Sequence, residues 1–334
     1  MFRSLSRASR TLPAISQLLR APAQLHYTMT AKPGFNIHQP IHWILDWDGT
    51  ITRRDTLDAL VSIAASAKPD SPVHEEWKRV SEAYMTDYTE ALGQLAPDGR
   101  LPTTVQEERR LLQSLKSVEQ ASLARVSASG IFADLTQKLL EEGASNVINS
   151  KKVEIRNGFA DFLQSKQTRS HDTLDLLSVN WSRHFISSCL KAAGVSIDKS
   201  SIYANELDGI ESNYVSQGKI SPENGSEMTI ISSSDKLEYL THLREQDNRP
   251  IIYMGDSWTD IECLLEADLG ICIRGEPIGS PQKKLAERLE SLGVHCPHLS
   301  DWREADEWQV VWAKDFAAVQ AWLEPRTAQD IRSD

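Results

Sequence analysis

The hydrophobic pattern opens with an apolar run that ends on carboxylates. Residues 41–47 read as a short buried strand, and HWILDWDGTI, 42–51, carries that strand into a turn with Asp46 and Asp48 at i and i+2. The period then changes. In RRDTLDALVSIAASA, Leu57, Leu60, Val61 and Ala64 share one helical face, with Asp55 as candidate N-cap and Asp58 in the first turn. Pro69 and Pro72 end that helix, and from Pro72 to about Ser150 the pattern stays mostly helical. Trp77, Val80, Tyr84 and Tyr88 recur at helical spacing, a stripe that reads as core. Pro97 to Pro102 form a loop, VQEERRLLQSLKSVEQASLARV is an amphipathic helix, and FADLTQKLLEEGASN is another, ended near Gly143.

Beyond Ser150 strands alternate with helices. VEIRNGF reads as a strand and turn, FADFLQSKQTR as a helix, and TLDLLSVN as a buried parallel strand. WSRHFISSCLKAAG is a helix ending at Gly194, SIYANEL a strand, and SDKLEYLTHLREQ a helix with Ser234 or Asp235 near its start. PIIYMGDS is a strand that runs into a second carboxylate turn, TDIECLLEA a helix and LGICI a strand. The alternation predicts an α/β fold, a doubly wound, Rossmann-like parallel sheet with helices on both faces. The last 35 residues hold Trp302, Trp308, Trp312 and Trp322 and predict a terminal helix packed on the core. The division expected is 1–35 outside the fold, 36–56 and 150–334 as the core, and 57–149 as an inserted helical domain.

Composition narrows the function. A net charge of -11 argues against a general nucleic-acid binder, which carries a basic footprint. No apolar stretch is long enough to span a bilayer, and the sequence leaves the oligomeric state open. The four cysteines, Cys189, Cys263, Cys272 and Cys296, show neither a CxxC pair nor zinc-ligand spacing, which points to structural thiols in a reduced compartment. The N-terminus departs from the acidic average. Arg3, Arg7, Arg10, Arg20 and Lys32 all precede the first acid, Asp46, and Phe2, Leu5, Leu12, Ile15 and Leu19 can line one helical face. That is the composition of a mitochondrial transit peptide; a basic tail without an address is the alternative, and Pro13, which interrupts the helix, favours it. Initiation at Met29 would keep the first strand and drop the four arginines, giving a cytosolic form; Met29 as a plain internal methionine is the competing reading.

In an open parallel sheet the chemistry sits at the carboxyl ends of the strands, near a switch in strand order. Asp46 and Asp48, Ser178, and Asp256 with Asp260 one turn further all fall at predicted strand ends, and Lys236 begins the helix before the last of these strands. Carboxylates repel a phosphate unless a cation screens them, and Mg²⁺ takes oxygen ligands from one or two carboxylates, water and phosphate. Asp46 and Asp256 can supply such ligands. An aspartate can act as nucleophile, and a second carboxylate two residues on can work as acid and base. Ser178 and the helix start in NWSRHF offer a hydroxyl and amides to phosphate oxygens. Lys219, in GKI, competes with Lys236 for the lysine role; the helix start 20 residues before Asp256 favours Lys236.

These residues resemble the motifs of the haloacid dehalogenase (HAD) superfamily. DWDGT is similar to its first motif, D-x-D-G-T; Ser178 in LLSVN to the second; Lys236 to the third; and GDSWTD, 255–260, to the fourth, G-D-x-x-x-D. The resemblance covers residues 41–60 and 150–275, in the right order. It implies Asp46 as nucleophile and Asp48 as acid/base. It also implies a phosphate site at Ser178, Lys236, Gly49 and Asn180, and Mg²⁺ held by Asp46, Asp48, Asp256 and Asp260. Dehalogenases lack the second aspartate, so Asp48 points to phosphate esters. The helical stretch between Asp48 and Ser178 resembles a type I cap, as in phosphoserine phosphatase and its relatives, which close over small phosphorylated metabolites.

LSVNWS and ANEL, 204–207, resemble fungal phosphatase-like proteins of the superfamily. They also resemble the phosphatase domain that plants fuse to a thiaminase-like domain, which acts on thiamine monophosphate. Asn205 and Glu206 then sit near the pocket, or else form a strand-end turn with a left-handed Asn. Trp181 stacks on a planar substrate or covers the core, the second being preferred. The expected activity is a Mg²⁺-dependent phosphatase working through an aspartyl phosphate. A phosphoryl transferase such as a mutase, and a non-catalytic binding protein of the same fold, are the alternatives.

Overall fold

The structure is a computed structural model that describes residues 36–168, 171–222, 228–303 and 309–323. The expected transit peptide, Met29 and Trp308 lie outside the described residues. The sheet has six parallel strands: β1 (His42–Leu45), β2 (Thr173–Leu177), β3 (Ile202–Tyr203), β6 (Ile251–Gly255), β7 (Leu269–Ile273) and β8 (Val310–Ala313). They run in the order β3-β2-β1-β6-β7-β8. A separate antiparallel pair joins β4 (Glu206–Leu207) to β5 (Ile220–Ser221). The order reverses between β1 and β6, where Leu45 pairs with Met254. Asp46 and Asp256 therefore leave adjacent strand ends at the switch point, where such sheets bind ligands.

Alternation in the strands sorts the two faces. Trp43 and Leu45 point into one apolar layer with Phe159 and Phe162 of α5 (Phe159–Thr168), Phe185 of α6 (Arg183–Ala192) and Phe316 of α10 (Phe316–Leu323). Ile44 points into the other, with Leu240 of α7 (Ser233–Gln246), Leu264 of α8 (Ile261–Glu266) and Leu285 of α9 (Ser280–Ser291). With helices on both faces the fold is the doubly wound α/β arrangement expected. Four helices stand between β1 and α5: α1 (Leu57–Ala67), α2 (Val73–Leu95), α3 (Val105–Ala128) and α4 (Gln137–Asn149). The chain enters and leaves them side by side, with Arg53 N–H donating to Glu154 O and Arg156 N–H to Ile51 O.

Several sequence expectations change. VEIRNGF forms no strand; a single bridge, Thr52 to Ile155, joins the two connections to the helical insertion. SIYANEL splits into β3 and β4 because the Asn205 side chain replaces the ladder. Its Nδ2 donates to Ile230 O at 2.8 Å and to Asn180 O at 3.1 Å, and its Oδ1 accepts from Ile230 N–H at 2.9 Å. Asn205 is not among the residues with positive φ, so the left-handed turn is not formed. Helix α4 runs through Gly143 to Asn149. The glycine there admits α1, since a Cβ would stand 2.6 Å from Ile63. The N-cap of α1 is Thr56, while Asp55 accepts from Leu57 N–H at 2.8 Å. The C-terminal stretch contributes strand β8 as well as helix α10, because VVWA is apolar enough to extend the sheet beside β7.

Candidate active site

The site is built from the ends of β1 and β6 and the starts of α1 and α7. Asp46 N–H donates to Met254 O at 2.9 Å, so strand pairing holds the backbone rigid up to the carboxylate. A wide turn, Trp47–Ile51, follows, with Gly49 at φ 77. Only glycine fits there: a Cβ would lie 2.3 Å from Asp256 Oδ2. Arg156 closes the turn from below. Its Nε donates to Thr50 O at 2.8 Å and its Nη2 to Gly49 O and Thr52 O.

Asp48 is pinned away from the other carboxylates. Its Oδ1 accepts from Thr56 N–H at 2.7 Å and Thr56 Oγ1 at 2.6 Å, and its Oδ2 from Asn180 Nδ2 at 2.9 Å. Burial raises the Asp48 carboxyl to about 6 with help from the Asp55 charge, against the hydrogen bonds from Asn180 and Thr56. A carboxyl in that range carries a proton at modest cost near neutrality.

Lys236 is fully buried in the first turn of α7, which Ser232 and Asp235 cap reciprocally. Its Nζ donates to Asp46 Oδ1 at 2.6 Å and to Asp260 Oδ1 at 2.7 Å. Burial alone would depress the ammonium, yet the Asp260 and Asp46 carboxylates outweigh it and raise its pKa. Asp260 also accepts from Tyr253 Oη at 2.7 Å, Asp256 N–H at 3.1 Å and Ser257 N–H at 3.0 Å. Burial works against the Asp260 charge, but Lys236 and these donors hold its carboxyl below the usual range. Lys219, the rival, is exposed beside the β4–β5 pair.

One ammonium does not balance the acids present. Carboxylate oxygens of Asp46, Asp256 and Asp260 lie within 4.8 Å of one another. Burial, then the Asp260 charge, pushes Asp46 well above its ordinary value. Burial and Asp260 raise Asp256 to about 7, against the Gln282 hydrogen bond at 3.1 Å. Buried oxygen ligands short of positive charge fit a hard divalent cation. Asp46, Asp256 and Asp260 stand close enough together to be able to hold one; the Asp48 carboxylate, taken by Thr56 and Asn180, stands outside the group.

Asp46, Asp48, Gly49, Asn180 and Asp256 reach the surface of a cavity of about 320 Å³. Ser178, Lys236 and Asp260 stand behind that surface. Ser178 is fully buried at the end of β2, where its Oγ accepts from Asn180 N–H at 3.1 Å. Glu206 faces the start of α6 instead, accepting from Ser182 Oγ at 2.7 Å and His184 N–H at 2.8 Å.

The roof comes from α2 and α3. Tyr84 and Tyr88, expected as core, line the cavity with Leu112, Leu115 and Trp258. Trp181 does both: it lines the cavity and packs edge-on against Trp77 and Phe132. Glu119 accepts from Tyr84 Oη at 2.8 Å, and burial raises its carboxyl. Lys284 lies 4.0 Å from the Trp258 ring centroid, and burial lowers its ammonium to about 8. Sequence reasoning missed Thr56, Arg156, Gln282 and Lys284. Of these only Thr56 left a trace, as a hydroxyl residue just before a helical stripe.

No family model matches the chain. A CTO1 family protein of Schizosaccharomyces pombe is 30% identical over 242 residues, which cover 70% of this chain and 81% of that protein. The bifunctional TH2 protein, mitochondrial, of Arabidopsis thaliana is 25% identical over 249 residues, 68% of this chain but 38% of that longer protein. A substrate-bound phosphoserine phosphatase overlays 86% of this chain and 99% of its own with a TM-score of 0.48 at 14% identity. The strand order with helices on both faces is that of a doubly wound α/β sheet, with the helical insertion standing after β1. By its identity to the fission-yeast protein across most of both chains, this chain belongs to the CTO1 family.

Proposed function

We propose that the protein is a Mg²⁺-dependent phosphatase that hydrolyses a phosphate monoester of a small metabolite through an aspartyl phosphate on Asp46. The observation that carries this reading is the division of labour between two aspartates on one turn. Asp46 is locked by Lys236 beside Asp256, whereas Asp48 is held apart by Thr56 and Asn180 with its carboxyl raised to about 6. Asp46, Asp256 and Asp260 would hold the ion, and Asp260 also fixes the loop that carries Asp256. A bound Mg²⁺ supplies charge neutralisation to the phosphate oxygens and to these carboxylates.

Asp46 attacks phosphorus. Asp48 gives its proton to the leaving oxygen, then takes one from the water that hydrolyses the acyl phosphate. Asn180 orients Asp48, Ser178 steadies Asn180 by accepting from its N–H behind the cavity surface, and the amides of the turn at Gly49 receive phosphate oxygens. The insertion, residues 57–149, is the cap: Tyr84, Tyr88, Leu112 and Leu115 close the cavity and exclude water and large substrates. A cavity of about 320 Å³ suits a small ester. The Arg-bearing N-terminus, together with the mitochondrial relative in Arabidopsis, supports a mitochondrial address for the long form and a cytosolic one for a chain starting at Met29.

The test is a screen of purified protein against phosphorylated metabolites with Mg²⁺, read as inorganic phosphate. Release should be lost on chelation, and Asp46→Asn should lower it by about 10³-fold or more. Isomerised product without phosphate would make the protein a mutase. Release unchanged in Asp46→Asn would contradict the mechanism.

A further inference from the structure

The cavity that exposes the carboxylates also holds a lysine that the phosphatase chemistry does not use. Lys284, in α9, lines it. Its Nζ stands 4.0 Å from the Trp258 ring centroid and 5.5 Å from that of Tyr88, and donates to Tyr88 Oη at 3.4 Å. Trp258 belongs to the loop after β6 and Tyr88 to α2, so the ammonium is fixed against one ring from the core and one from the helical insertion. Gln282, half a turn earlier on α9, reaches Asp256. The charges that bear on Lys284 are Arg288, one turn further along α9, and Glu108 of α3; Asp46, Asp256 and Asp260 are not among them. The ammonium therefore shares the cavity with the carboxylate group but stands apart from it.

We propose that Lys284 is a specificity-determining residue that binds a carboxylate on the leaving group, so that the cavity selects phosphate monoesters of flat, apolar or aromatic alcohols carrying one carboxylate. The assignment rests on the phosphatase reading only for the position of the phosphate, at Asp46.

The surroundings of Lys284 favour an anion. Lys116, also at the cavity, meets Asp235 at 2.5 Å, and Glu119 accepts from Tyr84 Oη at 2.8 Å. Arg53 and Arg54 are exposed, where water and salt screen them. Glu108 is engaged by Trp258 Nε1 and by Arg288. Burial, then the Arg288 charge, lowers the Lys284 ammonium to about 8, against Glu108. An anion placed beside it acts in the opposite sense and restores its full charge near neutrality. A single ammonium matches one carboxylate; a second phosphate would bring about two negative charges to it. Leu112, Leu115, Val179 and Trp181 line the same cavity and suit a flat apolar body between the two anionic ends.

The test is calorimetric titration of the full-length protein with benzylphosphonate and para-carboxybenzylphosphonate in the presence of Mg²⁺. Phosphonates are not hydrolysed, so binding is read apart from turnover. The wild type should bind the carboxylated compound about tenfold more tightly. Lys284→Met, shown by circular dichroism to be folded, should lose that preference, and Lys284→Arg should keep most of it. In the wild type the preference should be full below about pH 8 and fade above it, because the ammonium then loses its proton. Taking the ratio of the two affinities cancels ionisation of the phosphonate itself. Equal binding of the two compounds by the wild type, binding of neither, a preference that survives in folded Lys284→Met, or one that persists unchanged well above that pH would each overturn the assignment. The binding preference without phosphate release from the corresponding benzyl phosphates would support the assignment and sink the phosphatase reading alone.

Discussion

Gly49 and Asp256 meet at a distance that leaves no room for a side chain. Gly49→Ala adds a Cβ 2.3 Å from Asp256 Oδ2 and forces φ 77 on an L residue. The backbone term alone costs about 1–2 kcal/mol, and the clash displaces Asp256. Chemical denaturation should show that loss of stability, with phosphate release falling further than stability alone explains. A variant as stable and active as the wild type would mean the turn relaxes freely. Lys236 makes the complementary case. Lys236→Met leaves Asp46 and Asp260 buried without their cation, a loss of about 3–5 kcal/mol for removing one partner of a buried pair. Urea unfolding measures it, and a change below about 1 kcal/mol would show that the charge is not needed for folding.

At the scale of elements, α3 is fastened to the core by charge as well as by apolar contact. Glu108 is almost fully buried. Its Oε1 accepts from Trp258 Nε1 at 2.6 Å and from Arg288 Nε at 3.1 Å, and its Oε2 accepts from Arg288 Nη2 at 2.5 Å. Lys116, two turns on, meets Asp235 at 2.5 Å. Helix α3 is thus tied to α9, to α7 and, through Trp258, to the loop that holds Asp256. Glu108→Leu alone strands the Arg288 guanidinium and should cost about 3–5 kcal/mol, while Glu108→Leu with Arg288→Met should recover much of it. A double-mutant cycle by denaturation reads the coupling; additive losses would show no direct partnership.

Such contacts explain what the sequence could and could not reveal. Asp46, Asp256 and Lys236 were legible because strand ends and helix starts can be found from local pattern. Glu108, Arg156 and Gln282 were not, because each acts on a partner far along the chain. Tyr84 and Tyr88 are buried in the core as their stripe predicts, and the cavity that they also line was not legible because a helical stripe has the same period whether it faces a neighbouring helix or a pocket. Strand β8 was missed for a similar reason: four apolar residues followed by a helix look like part of that helix.

For the whole molecule, the central feature is a sheet that delivers more buried negative charge than its own cations balance. Mg²⁺ should therefore stabilise the fold, by about 2.7 kcal/mol at a hundredfold excess over its dissociation constant. A thermal-shift titration should show a rise in melting temperature that Asp46→Asn largely abolishes. No described helix is long and apolar enough to cross a membrane.

The most direct measurement looks for the covalent phosphate itself. Asp48→Asn protein is mixed with p-nitrophenyl phosphate and Mg²⁺, quenched rapidly in acid and mapped by peptide mass spectrometry. The nitrophenolate leaves without help from an acid, whereas hydrolysis of the acyl phosphate still requires the missing base. One phosphate per chain should appear on the peptide that carries Asp46, and none when Asp46 is also changed to Asn. Continued nitrophenolate release with no phosphate on Asp46, or phosphate on another residue, would contradict the mechanism.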